Sequence, residues 1–176
     1  KDDKVYANLF VASNAILKVA NSGVKIEQQN NYPWNGDLVF KISPEKKPLL
    51  FNFLVRIPGW ARNEAIPSDL YHFTANTREK PGIKVNGQPV QYEITNGYAS
   101  LARTWKKNDI VEVALPMEVR RVAANGHVKD DIGKVALQRG PIIYCAEWVD
   151  NGGKTSNIII PSDTVYFCFM AQAVAK

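Results

Sequence analysis

The chain has 176 residues, 45% of them hydrophobic and 22% charged, which is enough to bury a real core in one large or two small domains. Its net charge of +5 is spread over isolated pairs, Lys46-Lys47, Lys106-Lys107 and Arg120-Arg121, which read as solvated strand edges rather than a stripe that tracks phosphates. Nucleic acid is therefore excluded as a partner, and no apolar run approaches the ~20 residues needed to cross a bilayer. The chain opens Lys1-Asp2-Asp3 without Met, as expected of a cut start, so the missing signal peptide leaves the compartment open.

Taken in chain order, the hydrophobic period is two almost throughout. Strands are predicted at 4–11 and 15–20. Val24 and Ile26 then alternate with Lys25 and Glu27, and Leu38, Phe40 and Ile42 with Val39 and Lys41. Over 49–57 every odd position is apolar, while the even ones include Asn52 and Arg56. Residues 61–81 break the pattern. They read as a long polar excursion in which Ser68 caps a single helical turn, and loops of that length are often functional. Asn86-Gly87 and Asn96-Gly97 predict tight hairpins, because both central residues of a type I′ turn need positive φ. With the link through Asn108, they predict a meander of four short strands from Ile83 to Leu115.

A boundary falls near Pro116-Met117, and further strands are predicted at 118–123, 132–138, 141–147, 157–160 and 164–169. Between two of these, Arg139-Gly140-Pro141 is a hairpin-like reversal. The expected fold is all-β: an antiparallel β-sandwich of jelly-roll or Ig-like layers over 1–117, followed by part of a second small β domain over 118–176.

Few residues offer chemistry. His72 and His127 are the only histidines and Cys145 and Cys168 the only cysteines, and no pair has the close spacing of a zinc site. Surface-loop histidines and buried core cysteines are the expectation. Sugar hydrolysis by acid and base needs two carboxylates about 5 to 9.5 Å apart. Glu118, Asp130, Asp131, Glu147 and Asp150 are available, but sequence cannot pair them, and Asp130-Asp131 reads as a solvated turn. Trp34, Trp60 and Trp105 each lie near a strand end, where a ring can stack on a sugar or close the end of a core.

Eight blocks in order carry a resemblance. They lie at 5–13, 28–34 (ending Asn31-Tyr32-Pro33-Trp34), 54–61 (containing Arg56-Ile57-Pro58-Gly59-Trp60), 84–87, 97–98, 103–109, 115–120 and 133–147. Together they resemble the β-L-arabinofuranosidase family of glycoside hydrolases, from the N-terminus to about Asp163, with the tail after that residue outside the match. A chain with such an end reads as a truncated open reading frame or one with an altered terminus. Asn108 stands where the family usually has Gly, a change that a left-handed position tolerates.

The resemblance implies an N-terminal α/α barrel followed by β-sandwich domains, with the catalytic acid, the cysteine nucleophile and the zinc-binding Glu and Cys all in the barrel. No catalytic or metal residue carries over, and Cys145 does not inherit the nucleophile's role. The expectation is a non-catalytic region of a secreted or periplasmic enzyme acting on arabinose-containing glycans. Its partner would be its own N-terminal catalytic barrel, which would hold the zinc. It would shape the rim of the substrate site through loop 61–81 or Trp60. The alternatives are a carbohydrate-binding module that holds plant-type glycans through Trp34, Trp60 or Trp105, and a dimerisation domain forming a homodimer.

Overall fold

The structure is a computed structural model that describes residues 3–160. Cys168, the strand predicted at 164–169 and the end of the chain lie outside those residues. The regular structure of the described chain is almost all strand, in three sheets.

The first sheet runs β1 (Lys4–Ala7), β5 (Leu49–Arg56), β10 (Tyr98–Trp105), β9 (Ile94–Thr95). The second runs β2 (Ser13–Val19), β3 (Ser22–Asn30), β4 (Asp37–Pro44), β11 (Asp109–Ala114), β7 (Gly82–Val85), β8 (Gln88–Pro89). They face each other as a sandwich. The period of two does the sorting: Leu38, Phe40 and Ile42 on β4 and Phe51, Phe53 and Val55 on β5 are all at most 2% exposed. Phe40 and Phe53 meet edge to face across the layers, with ring centroids 5.3 Å apart. One pair departs from the antiparallel expectation, since β1 runs parallel to β5.

The predicted meander is corrected. The strands between Ile83 and Leu115 do form, but β10 belongs to the first sheet and β7, β8 and β11 to the second. The link after Trp105 is thus a corner between layers. The Asp109 carboxylate holds it, accepting from the Lys106 N–H at 2.8 Å and from the Asn86 side-chain amide at 3.0 Å. Asn108 sits there at φ 67, the left-handed position expected of it. Asn86-Gly87 and Asn96-Gly97 have φ of 52 and 77, and 52 and 82, as the type I′ reading requires.

The third sheet runs β14 (Ile142–Tyr144), β13 (Val135–Arg139), β12 (Val119–Ala124), β6 (Tyr71–Phe73). Its last strand overturns the reading of 61–81 as a mere excursion. The helical turn that Ser68 was expected to cap is absent; Ser68 Oγ accepts the Leu70 N–H at 3.3 Å in a local turn, and a 3₁₀ turn forms instead at Gly59–Arg62. From Tyr71 the chain pairs with β12, Phe73 opposite Val122. A three-residue strand is too short for alternation to announce it. Residues 157–160, predicted as a strand, form none. No helix of the described residues is long and apolar enough to cross a membrane.

Candidate functional site

The three candidate tryptophans separate. Trp105 is 0% exposed between Phe51 and Phe53, with its indole N–H donating to the Phe51 carbonyl at 3.1 Å. It has no face for a sugar and is a core residue, which removes it from the candidate binders. Its position at the last residue of β10, pointing inward by alternation, is the reason. Trp34 is 58% exposed on the loop before β4. Trp60 is half-buried in the 3₁₀ turn, packed against the core.

Trp34 and Trp60 both touch the turn of the hairpin β13–β14. Arg139 donates to the Trp34 carbonyl at 2.8 Å. Gly140 lies under Trp60 and Met117: a Cβ there would come within 2.5 Å of Met117 Sδ and 3.6 Å of Trp60 Cη2. Gly140 also has φ 55, so the turn needs glycine twice over, for its backbone and for the close approach. Arg139 pairs with Ile142 across Gly140-Pro141, with the order of residues that a two-residue II′ turn prefers.

Beneath that turn lies Arg120. Its guanidinium sits 3.3 Å from the Phe73 ring centroid and donates to the Trp60 carbonyl, Asn63 Oδ1 and the Ala75 carbonyl at 3.2, 2.8 and 2.9 Å. Burial pulls its pKa down, opposed by Glu118, and it stays cationic. The expectation that Arg120-Arg121 is a solvated strand edge is therefore wrong for Arg120. The missed signal was alternation. Arg120 and Val122 share one face of β12, and Val122 is buried, so both arginines of the pair cannot face water.

Next to Trp60 opens a cleft of about 430 Å³ lined by Phe10, Tyr32, Arg56, Arg62, Glu64 and Pro141, among others. Burial raises the Tyr32 phenol, while a hydrogen bond with Trp60 and the charge of Arg56 pull the other way. The only carboxylate lining this cleft is Glu64, held by Arg62 through two bonds of 2.8 and 3.0 Å. A hydrolytic pair is thus not assembled in it. A larger groove of about 850 Å³ near β7 and β8 carries Asp37, Glu79 and Glu112, all exposed, interspersed with Arg62, Lys80 and Lys84.

The remaining candidates are scattered. Glu118, Asp130, Glu147 and Asp150 are exposed. Asp131, read as part of a solvated turn, accepts the Tyr71 hydroxyl at 2.9 Å and raises that phenol's pKa. His127 is exposed in a turn as expected, whereas His72 is exposed on β6. Cys145 is corrected from buried to exposed, because β14 ends one residue before it. Among the described residues no three His, Cys, Asp or Glu side chains gather as metal ligands.

Residues 4–117 match the model of the β-L-arabinofuranosidase GH127 middle domain, and residues 119–173 match the glycoside hydrolase family 127 C-terminal domain. The second match extends the likeness past Asp163, where the sequence blocks were expected to end. A non-reducing end β-L-arabinofuranosidase of Bifidobacterium longum subsp. longum is 34% identical over 157 residues, 87% of this chain and 21% of its own. A solved GH127 β-arabinofuranosidase is 46% identical with a TM-score of 0.79, over 85% of this chain and 23% of that one. A GH127 β-L-arabinofuranosidase of Geobacillus stearothermophilus T6 is 35% identical, also with a TM-score of 0.79, over 93% and 23%. The chain spans about a fifth of the length of the curated relative. It belongs to glycoside hydrolase family 127, of which it carries the middle and C-terminal β domains.

Proposed function

We propose that this chain is the non-catalytic β-sandwich region of a β-L-arabinofuranosidase-type hydrolase, supporting a separate catalytic barrel in the cleavage of arabinose-containing glycans. The observation that carries this reading is the pair of family matches, to a middle and a C-terminal domain, in a chain spanning only 21% of its relative. The scattered carboxylates and the absence of a ligand cluster among the described residues support it.

The test is domain replacement in the Bifidobacterium longum relative. Deleting its matching region is expected to abolish soluble, active enzyme, and inserting residues 1–160 of this chain in its place is expected to restore it. Full activity after deletion alone would overturn the supporting role.

A second reading, glycan contact at the Trp60 cleft, is favoured by the half-buried Trp60 ring, which lines that cleft. Tryptophan fluorescence titrated with arabinan oligosaccharides checks it. A shift lost in Trp60→Ala would support contact, and no shift at millimolar sugar would remove it.

A further inference from the structure

The two sides of the sandwich are finished differently. On the β7–β8 side, the segment after β8 folds back over the core. Val90 donates to the Ile83 carbonyl at 3.0 Å, the Tyr92 hydroxyl donates to the Pro81 carbonyl, and both side chains pack on the core. Val90 and Tyr92 thus cover the edge of the core there. On the other side, β1 ends the first sheet and β2 ends the second, and the link between them lies against β3, where the Leu9 carbonyl accepts from the Gln28 side-chain amide at 3.1 Å.

The burial of β2 differs from that of β3. Leu17 and Val24 are directly opposed across β2 and β3 and therefore share the core face. Val24 is 0% exposed but Leu17 is 37%. Ala15 is likewise exposed opposite Ile26, which is 8% exposed. A core-facing row of β2 is thus left open to water.

Beside this row runs an unpaired backbone edge. The Asp3 carbonyl accepts from the Asn52 N–H at 2.9 Å, and Lys4 is in register with Asn52. In a parallel ladder, the N–H and C=O of Val5 then face β5, and those of Lys4 and Tyr6 face outward. β1 is the end of its sheet, so the outward groups have no strand partner among the described residues.

We infer that this side is a strand-acceptor groove, in which an extended segment from the preceding part of the same polypeptide pairs with β1 and lays its inward apolar side chains on Ala15 and Leu17. This rests on the proposed function above. The occupant is chosen on two grounds. Residues 4–117 match a domain named as the middle one, and in the solved relatives 23% of the chain is covered by this one, leaving the larger part outside. The chemistry of the groove asks for a strand in particular, since it offers outward N–H and C=O groups next to an apolar row.

The test joins the part of the Bifidobacterium longum relative that precedes its matching region to residue 1 of this chain. A Leu17→Cys probe is placed in a Cys145→Ser, Cys168→Ser background, with Lys107→Cys as a control. Maleimide labelling is compared between this fusion and the 176-residue chain, with small-angle scattering to show whether the parts form one body. The expected result is labelling at Leu17→Cys at least tenfold slower in the fusion, with Lys107→Cys unchanged. A single compact body in which Leu17→Cys labels as fast as before would overturn the groove and leave the supporting role standing. Two independently moving parts would overturn both. Labelling of the 176-residue chain alone that slows with its own concentration would assign the groove to a second copy and overturn the inference.

Discussion

The sandwich and the C-terminal sheet are built from the same kind of strand yet held in different ways. The sandwich has a continuous apolar core that includes Trp105, Phe40, Phe51 and Phe53, each at most 2% exposed. In the C-terminal sheet, Phe73 and Val122 are the buried apolar side chains among the described residues, and neither belongs to that core. Its attachment is polar and local: Arg120 reaches three acceptors across the junction, and Gly140 lets Met117 and Trp60 close on the hairpin turn. One region is stabilised by area removed from water, the other by a few directional contacts whose loss leaves groups unpaired.

Four substitutions break or sharpen that contrast. The largest effect is expected for Trp105→Ala, about 3–5 kcal/mol, because a fully buried indole leaves a cavity and frees the Phe51 carbonyl. Urea unfolding should show it; a loss below about 1 kcal/mol would mean that the core collapses around the gap. Arg120→Met should cost about 2–4 kcal/mol, but locally, since it removes bonds from a charged donor and strands three acceptors. Hydrogen exchange should quicken in β12, β13 and β14 and stay slow in β4 and β5. A uniform rise would mean that the two regions unfold as one unit. Gly140→Ala should cost about 1–3 kcal/mol by forcing a left-handed alanine into Met117. Thermal melts read it, and Met117→Ala in the same chain should recover part of the loss.

The smallest effect is a titration. The Asp131 bond stabilises the protonated Tyr71 phenol, so its pKa is raised. The stability it contributes is present below the ordinary tyrosine pKa and declines as pH rises through the folded value. Tyrosine-labelled NMR should show Tyr71 titrating late, and Asp131→Asn should bring it back down. An unchanged titration in that variant would remove the bond from the account.

What the sequence disclosed follows the same division. Within the sandwich, period two marked the buried faces of β3, β4 and β5, and the Asn-Gly pairs marked turns whose φ values the structure matches, because those signals are local. Sheet membership was not legible: β10 and β11 are adjacent in sequence and lie in different layers, and the period of two is the same in both. Nor was β6, whose three residues gain their identity only from pairing with β12. Of the candidate tryptophans, sequence placed all three near strand ends. Only packing distinguishes the buried ring of Trp105 from the accessible ones of Trp34 and Trp60. Arg120 was legible in principle from the face it shares with Val122, and was hidden by its neighbour Arg121.

The central claim is that the chemistry of this family lies outside these β domains. The most direct measurement is hydrolysis of a chromogenic β-L-arabinofuranoside by the purified 176-residue chain, with and without added zinc, against a heat-killed sample. The account predicts no release above the heat-killed control in either condition. Turnover that survives repurification would contradict it and place a catalytic site within the sandwich or the C-terminal sheet.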